Sequence, residues 1–249
     1  MIEAFDGTRK AGVIASGALD EVAKIIRPGI KTNEIDKLCF EFINDNNAYS
    51  APLFYRGFPK SCCTSANHTV CHGIPKDKIL KEGDIINVDV TALKDGWHGD
   101  TSRMYFVGEV STKAKKLVKT TYDALIKSTK ILKNGVQVGD IGSIIQKHVE
   151  AEGFSVVRDF CGHGTGKNFH EPPNILHYGE PKSGDILKTG MIFTVEPMIN
   201  EGGYETKVLN DGWTAVTKDK SLSAQFEHTI GITEDSYEIF TESVKDYRK

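Results

Sequence analysis

ILKEGDIINVDV, residues 79–90, returns as ILKTGMIFTVEP, residues 186–197, at an offset of 107 that lays Asp89 on Glu196. Each copy reads as a glycine-bounded strand of β-branched and apolar residues with an acid near its C-terminal end. Upstream, IRPGIKTNEIDKLCFEFI (26–43) matches LKNGVQVGDIGSIIQKHV (132–149) at an offset of 106. Ile35, Leu38, Cys39, Phe42 and Ile43 fall on Ile141, Ile144, Ile145, His148 and Val149, and that spacing marks one apolar helix face in each copy. A long helical pattern and a glycine-containing turn come before each copy, at about residues 8–26 and 112–132. The chain is therefore expected to form one α+β domain over residues 1–249, since no Pro/Ser/Gly-rich or charged linker parts the copies. Its two helix-helix-strand halves would pack about a pseudo-two-fold axis, with the paired acids at their junction.

Asp89 and Glu196 belong to a set of five. With Asp100, His163 and Glu227 they occupy the short apolar segments INVDV, HGDTS, CGHGTG, FTVEP and AQFEHT. A lone charge buried in such surroundings costs several kcal/mol, and a bound cation removes that penalty. A chain reversal at LKDG, residues 93–96, would set Asp89 opposite Asp100 with Cβ atoms about 4.5–5.5 Å apart. Bare carboxylates that close repel each other, whereas cations between them turn the conflict into coordination. Strand parity over SAQFEHTI, residues 223–230, puts Gln225, Glu227 and Thr229 on one face and Phe226, His228 and Ile230 on the other. Taken singly, Asp100 reads as a turn residue and GHGTG as a plain glycine turn. Together, four carboxylates and one imidazole make a donor set for two divalent ions of the Mn, Fe, Co or Zn type. Such a pair lowers the pKa of a shared water from about 15.7 towards ~7, so hydrolysis is the expected chemistry.

Composition narrows the field. A net charge of -3 and a pI near 6.3 provide no broad basic field for nucleic acid. Lys113, Lys115, Lys116 and Lys119 read as the solvated face of an amphipathic helix. The N-terminus has no basic-then-apolar leader, and no stretch approaches the ~20 apolar residues that span a bilayer, so a cytoplasmic location is expected. Five cysteines, with Cys62 and Cys63 adjacent and no C-x-x-C, fit neither a disulfide framework nor a thiolate zinc site. His148 reads as a packing residue on its helix, and His68, His98, His177 and His228 are not expected at the site.

VCHGIP, NVDV, GDTSRMYFVG, GHGTG with FHEPP, TVEPMI and SAQFEHTI follow one another across essentially the whole chain. In order and spacing they resemble the type I methionine aminopeptidases, most closely the short bacterial subtype, with no N-terminal zinc-finger segment and no long insertion between His163 and Glu196. The resemblance implies the pita-bread fold: duplicated halves around a curved, mostly antiparallel sheet. It implies that Asp89 holds one metal, that His163 and Glu196 belong to the other, and that Asp100 and Glu227 bridge both. It also makes Glu196 the proton carrier, His170 the stabiliser of the developing oxyanion, and His72 a hydrogen-bond partner of the scissile peptide. Tyr55, Phe58, Cys63, His72, Phe169, His170 and Trp213 would wall the methionine pocket. Thr165, Phe58 and Pro52 depart from the usual residues at their positions, and none of the three is a ligand. The substrates implied are N-termini of nascent polypeptides with a small second residue. The resemblance further implies a monomer, and for an enzyme of nascent chains a place near the ribosome, with the 113–119 lysines as a candidate surface.

Three other readings compete. A proline-specific peptidase shares the fold and the five ligands but normally carries an extra N-terminal domain. A non-catalytic binding module on this fold would be expected to lose ligands, and all five are present. A two-metal phosphoesterase would call for a phosphate-gripping arginine cluster, which the sequence lacks.

Overall fold

Both halves open as the repeat demands. The computed structural model describes residues 1–243. Helix α1 (Ile2–Ile25) is followed by α2 (Thr32–Asp45), and α3 (Thr112–Thr129) by α4 (Val138–Ala151). The first helix starts six residues earlier than its apolar spacing suggests. Each second helix begins with the same device: the Glu34 carboxylate accepts from the Lys31 N–H at 2.9 Å, and the Asp140 carboxylate from the Gln137 N–H at 3.1 Å.

The duplication extends to individual hydrogen bonds. The Gly29 N–H donates to the Leu80 carbonyl at 2.8 Å, and the Gly135 N–H to the Leu187 carbonyl at 2.9 Å. Leu80 and Leu187 return the bond to Ile30 and Val136, both at 2.8 Å, and the isolated bridges Lys31 to Ile79 and Gln137 to Ile186 match as well. Each half has its own core. Leu19, Ile35, Cys39, Ile43, Ile86 and Val88 close one, and Leu117, Leu125, Ile141, Ile145, Phe193 and Val195 the other. Full burial of each such aliphatic or phenyl side chain contributes about 1.5–3 kcal/mol.

Among the described residues all strand pairs are antiparallel and fall into four sheets. The long hairpin Ile85–Lys94 with Trp97–Phe106 turns on two residues, Asp95 (φ 50°) and Gly96 (φ 83°), rather than on four. An Asp-Gly pair favours this tight turn, and it moves the register by two. Asp89 therefore faces Ser102 and Asp100 faces Thr91, which corrects the directly opposed pairing expected from LKDG. A slip of two preserves the face, so the two acids remain diagonal neighbours on one side of the hairpin.

SAQFEHTI is not one continuous strand. Ser223–Gln225 pairs with Met198–Asn200, whereas His228–Ile232 pairs with Ile192–Val195. The partner chain breaks at Glu196 and Pro197, and a proline has no N–H with which to continue a ladder. Glu227 sits in the gap and bridges to Ser102 of the hairpin, so the junction of the halves runs through it.

The helix lysines are neutralised: Lys113 by Glu201, Lys115 by Glu109, Lys116 by Glu152 and Lys119 by Asp123. All five cysteines are free thiols. Among the described residues no helix is long and apolar enough to cross a membrane.

Candidate metal centre

His163 lies on the three-residue strand Gly162–Gly164, and its flanking glycines are dictated by backbone contact. A Cβ on Gly162 would meet the Thr194 carbonyl oxygen at 2.3 Å, and one on Gly164 would meet that of Pro172 at 2.2 Å. The GHG signature thus clamps His163 between neighbouring strands. Its Nδ1 lies 3.0 Å from the Gly164 carbonyl oxygen, which can only accept, so Nδ1 carries the proton and Nε2 presents a lone pair. Burial also lowers the pKa of His163 and keeps the ring neutral.

That lone pair faces carboxylate oxygens. Nε2 is 3.6 Å from Asp100 Oδ2 and 3.6 Å from Glu196 Oε1, beyond hydrogen-bond reach and without a proton to share. Ligand atoms of Asp100, His163 and Glu227 lie within 4.8 Å of one another. Among the described residues no donor reaches the carboxylates of Asp89 or Glu227. Lone pairs that converge without protons suit a cation, and a ring oriented through its other nitrogen is the usual second contact of a metal-bound histidine.

Electrostatics agree. Burial holds the Asp100 carboxyl up at about 6, against a lowering hydrogen bond from Thr91 Oγ1 at 2.6 Å. Asp89, Glu196 and Glu227 are pushed well above the carboxylate range, first by burial and then by their acidic neighbours, Asp100 foremost. Four acids so placed cannot all ionise without positive charge among them. Two dications would balance four carboxylates, and the hard oxygen donors with one imidazole suit divalent first-row metals.

A supporting layer fixes these groups. The Thr194 hydroxyl accepts from the His163 backbone N–H at 3.0 Å and donates to Glu196 Oε1 at 2.7 Å, coupling two of the five. Gln225 Nε2 donates to Glu196 Oε2 at 3.2 Å. The Thr229 hydroxyl bonds both the N–H and the carbonyl of Asp100, at 2.9 and 2.7 Å. His177, one of the histidines set aside on sequence, is fully buried, and its Nε2 accepts from the Glu196 N–H at 3.1 Å. Burial drives its pKa to about 3, so it remains a neutral acceptor. His98, also set aside, stacks on Phe169 with ring centroids 5.4 Å apart and bonds the Gly166 carbonyl through Nδ1 at 2.8 Å. No sequence signal marks either histidine, because both partners come from distant segments. His68, His148 and His228 lie outside the cavity lining.

All twelve residues singled out in the sequence line one cavity of about 570 Å³. Asp89, Asp100, His163, Glu196 and Glu227 sit beside His72 and His170. Tyr55, Phe58, Cys63, Phe169 and Trp213 form an aromatic and apolar wall. Phe58 meets Trp213 edge-on at 5.1 Å, and Tyr55 packs on Phe169 at 4.8 Å and on His170 at 5.2 Å. The His170 ring is 4.1 Å from that of His163 and is held neutral, first by burial, with a pKa of about 3. His72 adopts a left-handed backbone (φ 55°), uncommon for a residue with a Cβ and typical of functional positions that their surroundings over-determine.

Comparison with known proteins follows the same line. The model of metallopeptidase family M24 matches residues 6–234. A methionine aminopeptidase of Rickettsia prowazekii is 56% identical over 242 residues, 97% of this chain and 93% of that relative. The crystal structure of methionine aminopeptidase from Rickettsia prowazekii superposes with a TM-score of 0.96 at 54% identity, covering 97% of this chain and 98% of that one. A prolidase from Pyrococcus furiosus, 23% identical, shares the fold with a TM-score of 0.78 over 98% of this chain and 65% of its own.

Proposed function

The chain belongs to metallopeptidase family M24, and from that premise we propose that it is a hydrolase that removes the N-terminal methionine from nascent polypeptides. The observation that carries this reading is the convergence of the His163 Nε2 lone pair with acid side chains on the floor of an apolar cavity. Asp89, Asp100, His163, Glu196 and Glu227 would hold two divalent ions, Mn, Fe, Co or Zn. When bound, such ions supply Lewis acidity that polarises water and the peptide carbonyl for hydrolysis.

The protein's own groups then act as follows. Glu196, held by Thr194 and Gln225, accepts the proton of the attacking water and passes it to the leaving amine. His170, a neutral imidazole, donates to the carbonyl oxygen as negative charge develops there. His72, neutral through burial, hydrogen-bonds the peptide. Tyr55, Phe58, Cys63, Phe169 and Trp213 receive the thioether, which needs packing and sulfur-to-aromatic contact but little hydrogen bonding. A small second residue is preferred, and the enzyme works as a cytoplasmic monomer on chains leaving the ribosome. The paired lysines of α3 are a poor anchor for such an encounter, because each already has a carboxylate partner.

A panel of Met-Ala-Ser, Met-Leu-Ser, Met-Pro and Ala-Pro separates this reading from its rivals. Met-Ala-Ser is expected to be cut at least about tenfold faster than Met-Leu-Ser by kcat/KM, a difference within what packing against a pocket wall supplies. Cleavage of Ala-Pro without Met-Ala-Ser would favour a proline-specific peptidase.

A further inference from the structure

Among the described residues, one arginine and no lysine line the cavity: Arg56. Residues 53–58 form a tight loop in which Phe54 (φ 65°) and Arg56 (φ 47°) both take the left-handed backbone that residues with a Cβ rarely adopt. The loop is closed by the Phe54 N–H to the Phe58 carbonyl at 2.8 Å and the Phe58 N–H to the Tyr55 carbonyl at 2.9 Å. This turns Tyr55 inward onto His170 and lays the Arg56 guanidinium over the Tyr55 ring, 5.3 Å from its centre.

Six carboxylates line the same cavity, and six of the seven charges have a stated occupation. Four of those carboxylates belong to the proposed metal set. Asp159 accepts from the Thr206 hydroxyl at 2.6 Å and Glu171 from the Asn168 amide at 2.7 Å. Arg56 is exposed and lines the cavity and, among the described residues, forms no ion pair, so its five N–H donors are free for a ligand that leaves the cavity past the Tyr55 ring. The Arg56 guanidinium is 5.3 Å from the Tyr55 ring, which is itself 5.2 Å from the His170 ring, and an extended polypeptide advancing about 3.3–3.6 Å per residue covers that span in about three residues.

We propose that Arg56 is a specificity-determining residue that favours substrates with an acidic side chain at the third or fourth position, received by its guanidinium at the cavity rim. The inference rests on the aminopeptidase reading above. A guanidinium placed over a ring keeps its planar fork of donors for a two-pronged bond to a carboxylate and repels a lysine at the same place.

The test uses the metal-loaded full chain and C-terminally amidated peptides, Met-Ala-Asp-Gly against Met-Ala-Lys-Gly and Met-Ala-Ala-Asp against Met-Ala-Ala-Lys. At low ionic strength the acidic member of at least one pair is expected to be cut about fivefold better, through KM, and the ratio is expected to approach one in ~1 M salt. The ratio is read within each enzyme, so a general loss of activity in a variant cancels. Arg56→Asn, which tolerates the left-handed backbone, is expected to abolish the ratio. Arg56→Lys should keep part of it, and Arg56→Glu should invert it. Indifference of the wild-type enzyme to charge, or an unchanged ratio in Arg56→Asn, overturns the inference alone. No cleavage of any Met-Ala peptide by the wild-type enzyme overturns the aminopeptidase reading and this inference with it.

Discussion

Asp100→Asn and Glu227→Gln are each expected to lower kcat/KM on Met-Ala-Ser by more than about a hundredfold, the scale of losing a group that holds a catalytic metal. Both substitutions keep side-chain shape and remove one negative charge from positions only 4% and 2% exposed. The loss should be accompanied by a gain. With no metal present, burial holds Asp100 up at about 6 and keeps Glu227 well above its usual range, so an amide at either place relieves a buried acid. The metal-free variants are therefore expected to melt at or above the temperature of the metal-free parent, while added divalent ions stabilise them less. A residue of purely structural importance would show the opposite: lower stability together with lower activity. Full activity in either variant would remove that residue from the proposed ligand set.

The stability of the metal-free protein is expected to fall as pH rises through the range of these acids. Asp100 releases its proton at 3.8 in an ordinary setting and at about 6 in the fold. Between those values the folded chain holds more protons than the unfolded chain, so unfolding free energy decreases with rising pH. For Asp100 alone the loss amounts to about 3 kcal/mol by neutral pH, and Asp89, Glu196 and Glu227, raised in the same direction, add to it. Divalent ions bind the ionised carboxylates, so their stabilisation grows over the same interval. At a fixed ion concentration a hundredfold above the dissociation constant at pH 7.5, the melting temperature should rise by about 5–10 °C at pH 7.5 and by much less at pH 5, where binding is weaker. Melting curves across pH with chelator or with Mn²⁺ measure both slopes. A metal-free protein whose stability rises from pH 5 to 7.5 would contradict the arrangement of buried acids.

Much of this was legible in the chain because the signals are local or repeated. Ile35, Cys39 and Ile43 announce a helix face through their spacing, and Ile141, Ile145 and Val149 repeat it, so two helices and their equivalence follow from periodicity. Acids among β-branched residues at Asp89 and Glu196 are informative because burial penalises charge. What was not legible depends on turn geometry and distant packing. Asp95-Gly96 favours a two-residue turn, a signal that the sequence does contain, but reading all of LKDG as the reversal places the register two residues off. Pro197 interrupts its own ladder and thereby splits its partner SAQFEHTI, a break that the partner's alternating pattern does not reveal. His177 has no local signal, because the Glu196 N–H from which it accepts lies 19 residues away. Arg56 carries no sequence signal, because a lone arginine between Tyr55 and Gly57 reads as an ordinary surface residue, and only the fold places it in the lining of the cavity.

Chelator-stripped protein, titrated anaerobically with Mn²⁺ or Co²⁺ while bound metal and Met-Ala-Ser cleavage are followed together, tests most directly whether paired ions between the two halves do the chemistry. Cleavage should be absent at the start and should rise in step with binding of up to two ions per chain. Undiminished cleavage by the stripped protein in the presence of chelator, or an inability to take up any divalent ion, would contradict it.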